Sequence, residues 1–163
     1  SKEIFSIEVV AIMFIVGGII FLIVEKFFIP YETYLIDDIE EVTLKQSMVI
    51  GFAQIFALIP GTSRAGSTII GALLVGLSRK ASAEFSFLLA FPVMSAVTAY
   101  DLLKHYKEFS DANLLALAIG FVVSFTVAYL TIKLFLKFLD NFTFIAFGIY
   151  RIIFGVLLLT IFS

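Results

Sequence analysis

The residues of this chain that are best suited to chemistry stand together in Pro60-Gly61-Thr62-Ser63-Arg64-Ala65-Gly66, with Ser67 directly after. The stretch combines three hydroxyls, two glycines and one guanidinium. Glycines let a ligand approach the backbone closely, and hydroxyls and amides are neutral donors. Arginine adds a planar, permanently charged fork that suits phosphate oxygens. If a helix opens at Ser67, its first amides and the positive end of its dipole also favour an anion. Phosphate is the natural ligand of such a loop. The architectural alternative is that Pro60-Gly61 merely kinks a long span, the hydroxyls satisfy freed backbone groups, and Arg64 pairs with an acid for packing. A broken helix with an arginine also suits an anion transporter.

Such a loop needs elements to hold it, and the composition says what they are. The chain has 163 residues, 61% of them hydrophobic, including 20 Phe. A soluble domain has about 45–50% apolar residues, so a water-soluble fold is excluded and the bilayer is the solvent. Charged residues make up only 15% and gather at the ends of uncharged stretches, as expected for apolar spans with short wet connections. With no cysteine, disulfides and thiolate chemistry drop out. A net charge of -2 and the lack of a basic stripe with interleaved aromatics argue against a nucleic-acid partner.

Four transmembrane segments are predicted, at about residues 6–28, 81–103, 112–132 and 142–161. The first is too long for a signal-peptide core and is read as a retained span. Tyr31 to Lys45 reads as a solvated acidic loop. Between it and the second span, Gln46 to Ser78 holds one charge, Arg64. As one helix that run would be about 50 Å long against a hydrocarbon core of about 30 Å. It must break, and Pro60-Gly61 is where the backbone allows it. The two arms, about Ser47–Ile59 and Ser67–Leu77, are each too short to cross, so residues 47–77 are expected to form a re-entrant hairpin. The fold class is thus an all-α integral membrane protein, with transmembrane helices and one re-entrant helix hairpin in a single domain over 1–163. If the hairpin enters and leaves on one face, that side collects Lys26, Lys45, Arg79, Lys80, Lys133 and Lys137, against Lys2, Lys104 and Lys107 opposite. The richer side is expected in the cytoplasm.

Irregular backbone at membrane depth must be surrounded by protein or line a cavity, which makes the loop the centre of interest. Around it, Gly51-Phe52-Ala53-Gln54, Ala57 to Gly66 and Glu84-Phe85-Ser86-Phe87-Leu88-Leu89-Ala90-Phe91-Pro92 resemble the bacterial undecaprenyl-diphosphate phosphatase family, also called the bacitracin-resistance family. The likeness continues to Tyr150-Arg151-Ile152 and covers nearly the whole chain. Ala65 stands where the family usually has serine.

The resemblance implies hydrolysis of undecaprenyl diphosphate to undecaprenyl phosphate and phosphate, which recycles the cell-wall lipid carrier in the inner (plasma) membrane. It implies two inverted repeats, each with a re-entrant hairpin, whose tips meet at an extracytoplasmic site. By carry-over, Ser63 and Arg64 are catalytic and substrate-binding, Gly61, Thr62, Ala65, Gly66 and Ser67 bind phosphate, and Gln54 supports them. It also implies stimulation by a divalent cation, Mg or Ca, with its ligands unknown, and it is compatible with a homodimer. The family's first hairpin, with paired glutamates, a Ser-Ser-Thr stretch and a histidine, has no match here. The chain is therefore expected to be the C-terminal portion without the first repeat, and inactive alone. The rival readings are a lipid-phosphate flippase or anion transporter on the same broken-helix site, and an assembly subunit with no site.

Other polar residues read as structural. His105, the only histidine, falls in the polar turn Lys104–Glu108. Glu84 lacks a second acid at ligand spacing, so it is assigned an interfacial or pairing role. Asp101 and Glu108 read as interfacial. Arg151, mid-span, either extends the phosphate clamp or serves structure, by packing or by snorkelling. Phe85, Phe87 and Phe91 suit lipid, core or a prenyl groove.

Overall fold

The computed structural model describes residues 6–28, 35–106 and 114–162. The predicted solvated-loop residues Tyr31 and Glu32, and Lys2, Lys107 and Glu108, lie outside the described residues. Among the described residues six α-helices follow in chain order: α1 (Ile7–Phe27), α2 (Leu44–Ala53), α3 (Arg64–Leu74), α4 (Arg79–Lys104), α5 (Leu114–Leu139) and α6 (Ile145–Phe162). Four of them, α1, α4, α5 and α6, are long and apolar enough to cross a membrane. The chain is a multi-pass, all-α membrane protein.

Two compact units divide it. One comprises residues 1–86 with 142–163, the other 87–141. In the second unit, the later part of α4 and α5 leave most large apolar side chains exposed, Phe91 to 77% and Phe121 to 74%. Phe87 meets Phe135 edge-on at 6.0 Å. α5 runs seven residues beyond the predicted end at Ile132. Lys133 and Lys137 interrupt the hydropathy, not the backbone hydrogen bonding, and their long stems carry their charges away from the helix.

The first unit carries the core. Lipid tails are as apolar as leucine, so helices in a bilayer associate by close van der Waals packing rather than by escaping water. α1 and α6 do this through small residues. A Cβ on Gly18 would lie 2.6 Å from the Gly148 carbonyl, and one on Gly155 2.8 Å from that of Ala11. Phe21 packs against the rings of Phe144 and Phe147 at 5.6 and 5.3 Å.

The segment read from sequence as a break is two short helices joined by irregular backbone. Thr43 opens α2 with a capping box, its side chain taking the Gln46 amide while the Gln46 side chain takes the Thr43 amide. Gln46 Nε2 also reaches the Val75 carbonyl at the far end of α3, 2.9 Å away. α2 tightens into a 3₁₀ turn over Gln54–Leu58 before Pro60. The approach to α2 is more ordered than a plain solvated loop. Ile36 forms a parallel bridge with Leu77, donating to the Gly76 carbonyl and accepting from the Ser78 amide, both at 2.9 Å. The chain therefore leaves for α2 and returns from α3 at one place.

Candidate functional site

Gly61 makes the turn that Pro60 starts. Its φ of +87° suits glycine, and a Cβ there would lie 2.6 Å from the Val10 carbonyl of α1. The loop tip thus rests directly on the α1 backbone. Two residues on, Ser63 has φ +71° and ψ 120°, a region costly for a residue with a Cβ. Its side chain offsets part of that cost. Ser63 Oγ accepts the Gly66 amide at 3.2 Å and its carbonyl accepts the Ser67 amide and hydroxyl at 3.0 and 3.1 Å. Ser63 is therefore the N-cap of α3, and the helix starts at Arg64 rather than at the expected Ser67.

That shift redistributes the parts. Within this structure the Gly66 amide and the Ser67 hydroxyl are committed to the cap, and Ser67 is buried. Arg64 occupies the first helical position and Ala65 the second, so their amides belong to the first turn, whose N–H groups have no partner inside the helix. Ala65 adds only its backbone. Deeper in α3, the Thr68 hydroxyl donates to the Arg64 and Ala65 carbonyls at 3.1 Å or shares a hydrogen with Ser86 Oγ at 2.6 Å, which ties α3 to the start of α4.

Three polar atoms of the loop and its approach are buried without a hydrogen-bond partner among the described residues: Arg64 Nη1, Thr62 Oγ1 and Gln54 Oε1. Native proteins seldom leave such groups unmatched, and each one calls for an explanation. A cationic donor at the start of a helix suits an anion. These are three of the residues singled out from the sequence.

What holds the loop is Arg151. Its side chain comes from α6, is only 2% exposed, and lies over the rings of Phe14 and Phe147 at 4.7 and 6.0 Å. Nη2 donates to the carbonyls of Gly61 at 2.8 Å, Thr62 at 3.2 Å and Met13 at 3.3 Å. Gly17 gives it room: a Cβ there would lie 2.7 Å from the same nitrogen. Arg151 thus neither snorkels nor points its Nη2 at a ligand. It pins the two loop carbonyls beside the Met13 carbonyl of α1. A sequence signal for this existed, since Gly148, Arg151 and Gly155 share one helical face at i, i+3 and i+7.

A second polar cluster had no such signal. Glu25, 6% exposed near the end of α1, accepts from Arg79 Nε and Nη2 at 3.0 and 2.8 Å and from the Phe144 amide at 2.8 Å. This joins α1, α4 and the start of α6. Among the described residues it is Arg79, not Arg64, that pairs with an acid. Glu84 is half-buried on α4, and His105 caps nothing but its own helix end, its amide on the Asp101 carbonyl at 2.9 Å. Among the described residues, no three of His, Cys, Asp or Glu gather to hold a metal. The loop itself presents a cation and neutral oxygens, which do not by themselves fit a divalent ion.

Beside the loop, an apolar groove of about 240 Å³ opens between α1, the α2 turn and α3. Phe21, Ser67 and Gly71 form its buried floor, and Phe56 and Leu74 stand at its exposed rim. Thr62 lines it at the loop end.

Fold and site together define a multi-pass α-helical membrane protein whose core unit fixes a cationic, hydroxyl-bearing loop at the start of a short helix. The chain belongs to the bacitracin resistance protein BacA family, whose model matches residues 1–157. It is 75% identical over 162 residues to the undecaprenyl-diphosphatase of Sulfurimonas denitrificans, covering 99% of this chain and 63% of that protein. It is 64% identical to that of Sulfurovum sp., with 98% and 63% covered, and 51% identical to that of Methanococcus aeolicus, with 98% and 62% covered. The chain therefore spans less than two thirds of the length of these curated relatives.

Proposed function

We propose that this chain carries the diphosphate-binding side of an undecaprenyl-diphosphatase of the bacterial plasma membrane. The observation that carries the reading is that Arg64 Nη1, at the first turn of α3, and Thr62 Oγ1, two residues earlier in the chain, are both buried and unmatched among the described residues. The relatives' names supply the substrate, and the loop supplies the chemistry. In the hydrolysis, a water oxygen bonds to the terminal phosphorus, and the bond from that phosphorus to the bridging oxygen breaks. Undecaprenyl phosphate leaves with the bridging oxygen, and the water proton passes to the departing products. Charge on the transferring phosphoryl group is spread over its outer oxygens, so catalysis rests on positioning and on fixed donors aimed at them. Arg64 and the amides of Arg64 and Ala65 have that role, with Thr62 beside them and Gln54 in support. Ser63 sets the direction of all of them by capping the helix at a strained φ.

We read α2 and α3 as a re-entrant pair. The hydrogen bonds between Ile36 and residues 76 and 78 support this, because they bring the two ends of the segment together. The test of the function is phosphate release from undecaprenyl diphosphate in detergent by the protein expressed from its full reading frame. Arg64→Ala is expected to lower kcat by about a hundredfold or more, the effect of removing one transition-state donor. Arg64→Lys, which keeps charge without the fork, is expected to recover only part of it. Activity near wild type in both variants would refute the assignment. Lipid movement across vesicles without phosphate release would favour a flippase instead.

A further inference from the structure

Two helices grip the loop segment, and both start from one carboxylate. Glu25 accepts from Arg79, the first residue of α4, and from the backbone amide of Phe144. Phe144 is where α6 begins, because its carbonyl takes the Gly148 amide at 2.9 Å. A helix start leaves such amides without an internal partner, and a buried carboxylate placed there also complements the helix dipole.

From these two anchor points the helices run to the loop by the same interval. Seven residues after Phe144, α6 presents Arg151, whose Nη2 holds the Gly61 and Thr62 carbonyls. Seven residues after Arg79, α4 presents Ser86, whose hydroxyl lies 2.6 Å from that of Thr68. Thr68 Oγ1 in turn stands 3.1 Å from the Arg64 and Ala65 carbonyls. Seven residues make two turns, about 10 Å, so each contact shares a helical face with its anchor. Phe144 adds a third line: its ring meets Phe21 at 5.6 Å, and Phe21 lies 3.4 Å from where a Gly66 Cβ would stand in the first turn of α3.

The seam between α1 and α6 needs such an anchor. Gly18, Gly148 and Gly155 bring the two backbones close, but residues without side chains interlock little along the axis. A slide of α6 by the rise of one residue is about 1.5 Å. The span of good hydrogen-bond lengths is only about 0.5 Å. The Arg151 contacts on the loop therefore depend on where α6 is stopped, and the bond from the Phe144 amide to Glu25 stops it.

We infer that Glu25 is a positioning residue for the loop: it fixes α4 and α6 at one point, and so sets where Ser86 and Arg151 hold the segment that carries Arg64. The effect on phosphate release rests on the proposed function, whereas the hold on the loop does not.

The experiment uses the protein from its full reading frame in detergent, with Glu25→Gln compared against wild type as purified, monodisperse material. Glu25→Gln is expected to lower kcat for phosphate release from undecaprenyl diphosphate by roughly tenfold to a hundredfold with KM little changed, as misplacement of a catalytic group does. A joint that only stabilised the fold would lower the yield of folded protein and leave the kcat of that protein intact. The second readout needs no turnover. In a Thr62→Cys background, maleimide labelling of the loop peptide, followed by mass spectrometry, is expected to rise about tenfold with Glu25→Gln, the worth of about one hydrogen bond to the loop. Glu25→Asp keeps the charge but shortens the reach. It is expected to shift both readouts the same way, and it decides the matter if Glu25→Gln yields no folded protein. Wild-type kcat or unchanged labelling in the folded variants would overturn the proposal. A wild-type protein that releases no phosphate refutes the phosphatase reading, and the labelling comparison then decides the positioning role by itself.

Discussion

Two polar clusters lie inside the same apolar unit, and they differ in one respect. At Glu25 the polar partners are matched: both carboxylate oxygens accept from Arg79, and one also takes the Phe144 amide. At Gly61–Arg64 the backbone carbonyls are matched by Arg151 while Thr62 Oγ1 and Arg64 Nη1 are not. Both are buried and both use arginine. A buried charge is tolerated when paired, and breaking the pair leaves the other partner exposed to the full desolvation cost. The first cluster is a joint between three helices. The second is a joint on one side and an open set of donors on the other, as a ligand site requires.

Substitutions can break that contrast, and their effects on folding should fall in order. Glu25→Ala removes the carboxylate that holds Arg79 and the Phe144 amide and is expected to cost about 3 kcal/mol, read as a large fall in detergent melting temperature and in membrane yield. A stable Glu25→Ala protein would show that the pair is not a joint. Arg151→Ala removes three charged-donor contacts and is expected to cost about 2 kcal/mol. Because the chain has no cysteine, a single Thr62→Cys reports the loop, and its thiol labelling should accelerate when Arg151 is also replaced. Unchanged labelling would mean that the loop stands without its anchor.

Ser63→Gly has the opposite sign. It relieves a positive φ at a strained position and loses only the side-chain cap, so a gain of about 0.5–1 kcal/mol is expected, together with lost phosphate release. A destabilised variant would show that the cap outweighs the strain. Arg64→Ala sits last, within about 0.5 kcal/mol of wild type in stability, because its Nη1 has no hydrogen-bond partner among the described residues. A strong destabilisation there would turn the open cluster into a second joint.

Much of this was legible in the sequence, and what escaped has a common cause. Uncharged runs marked α1 and α6 to within a few residues, and Pro60-Gly61 marked the break, because burial in lipid and backbone freedom are local properties. The start of α3 was missed by three residues because Ser63 caps it from a conformation that a serine rarely adopts. Thr62, Arg64 and Gln54 were picked out by residue type alone, and the structure leaves a polar atom on each unmatched. The Glu25–Arg79 pair joins residues 54 apart, and the Arg151–Gly61 contact residues 90 apart. Nothing in either local pattern names the partner. Arg151 alone showed a hint, by sharing a helical face with the packing glycines.

That last separation also sets an order of events during synthesis. The loop is made 90 residues before the arginine that fixes it. At about 5–20 residues per second, the ribosome takes roughly 5–20 s to supply the anchor. Through that interval the loop carbonyls must find other partners, and the donors above them have no fixed direction. The geometry of the loop is therefore a late product of assembly, set only when the helix that carries Arg151 docks.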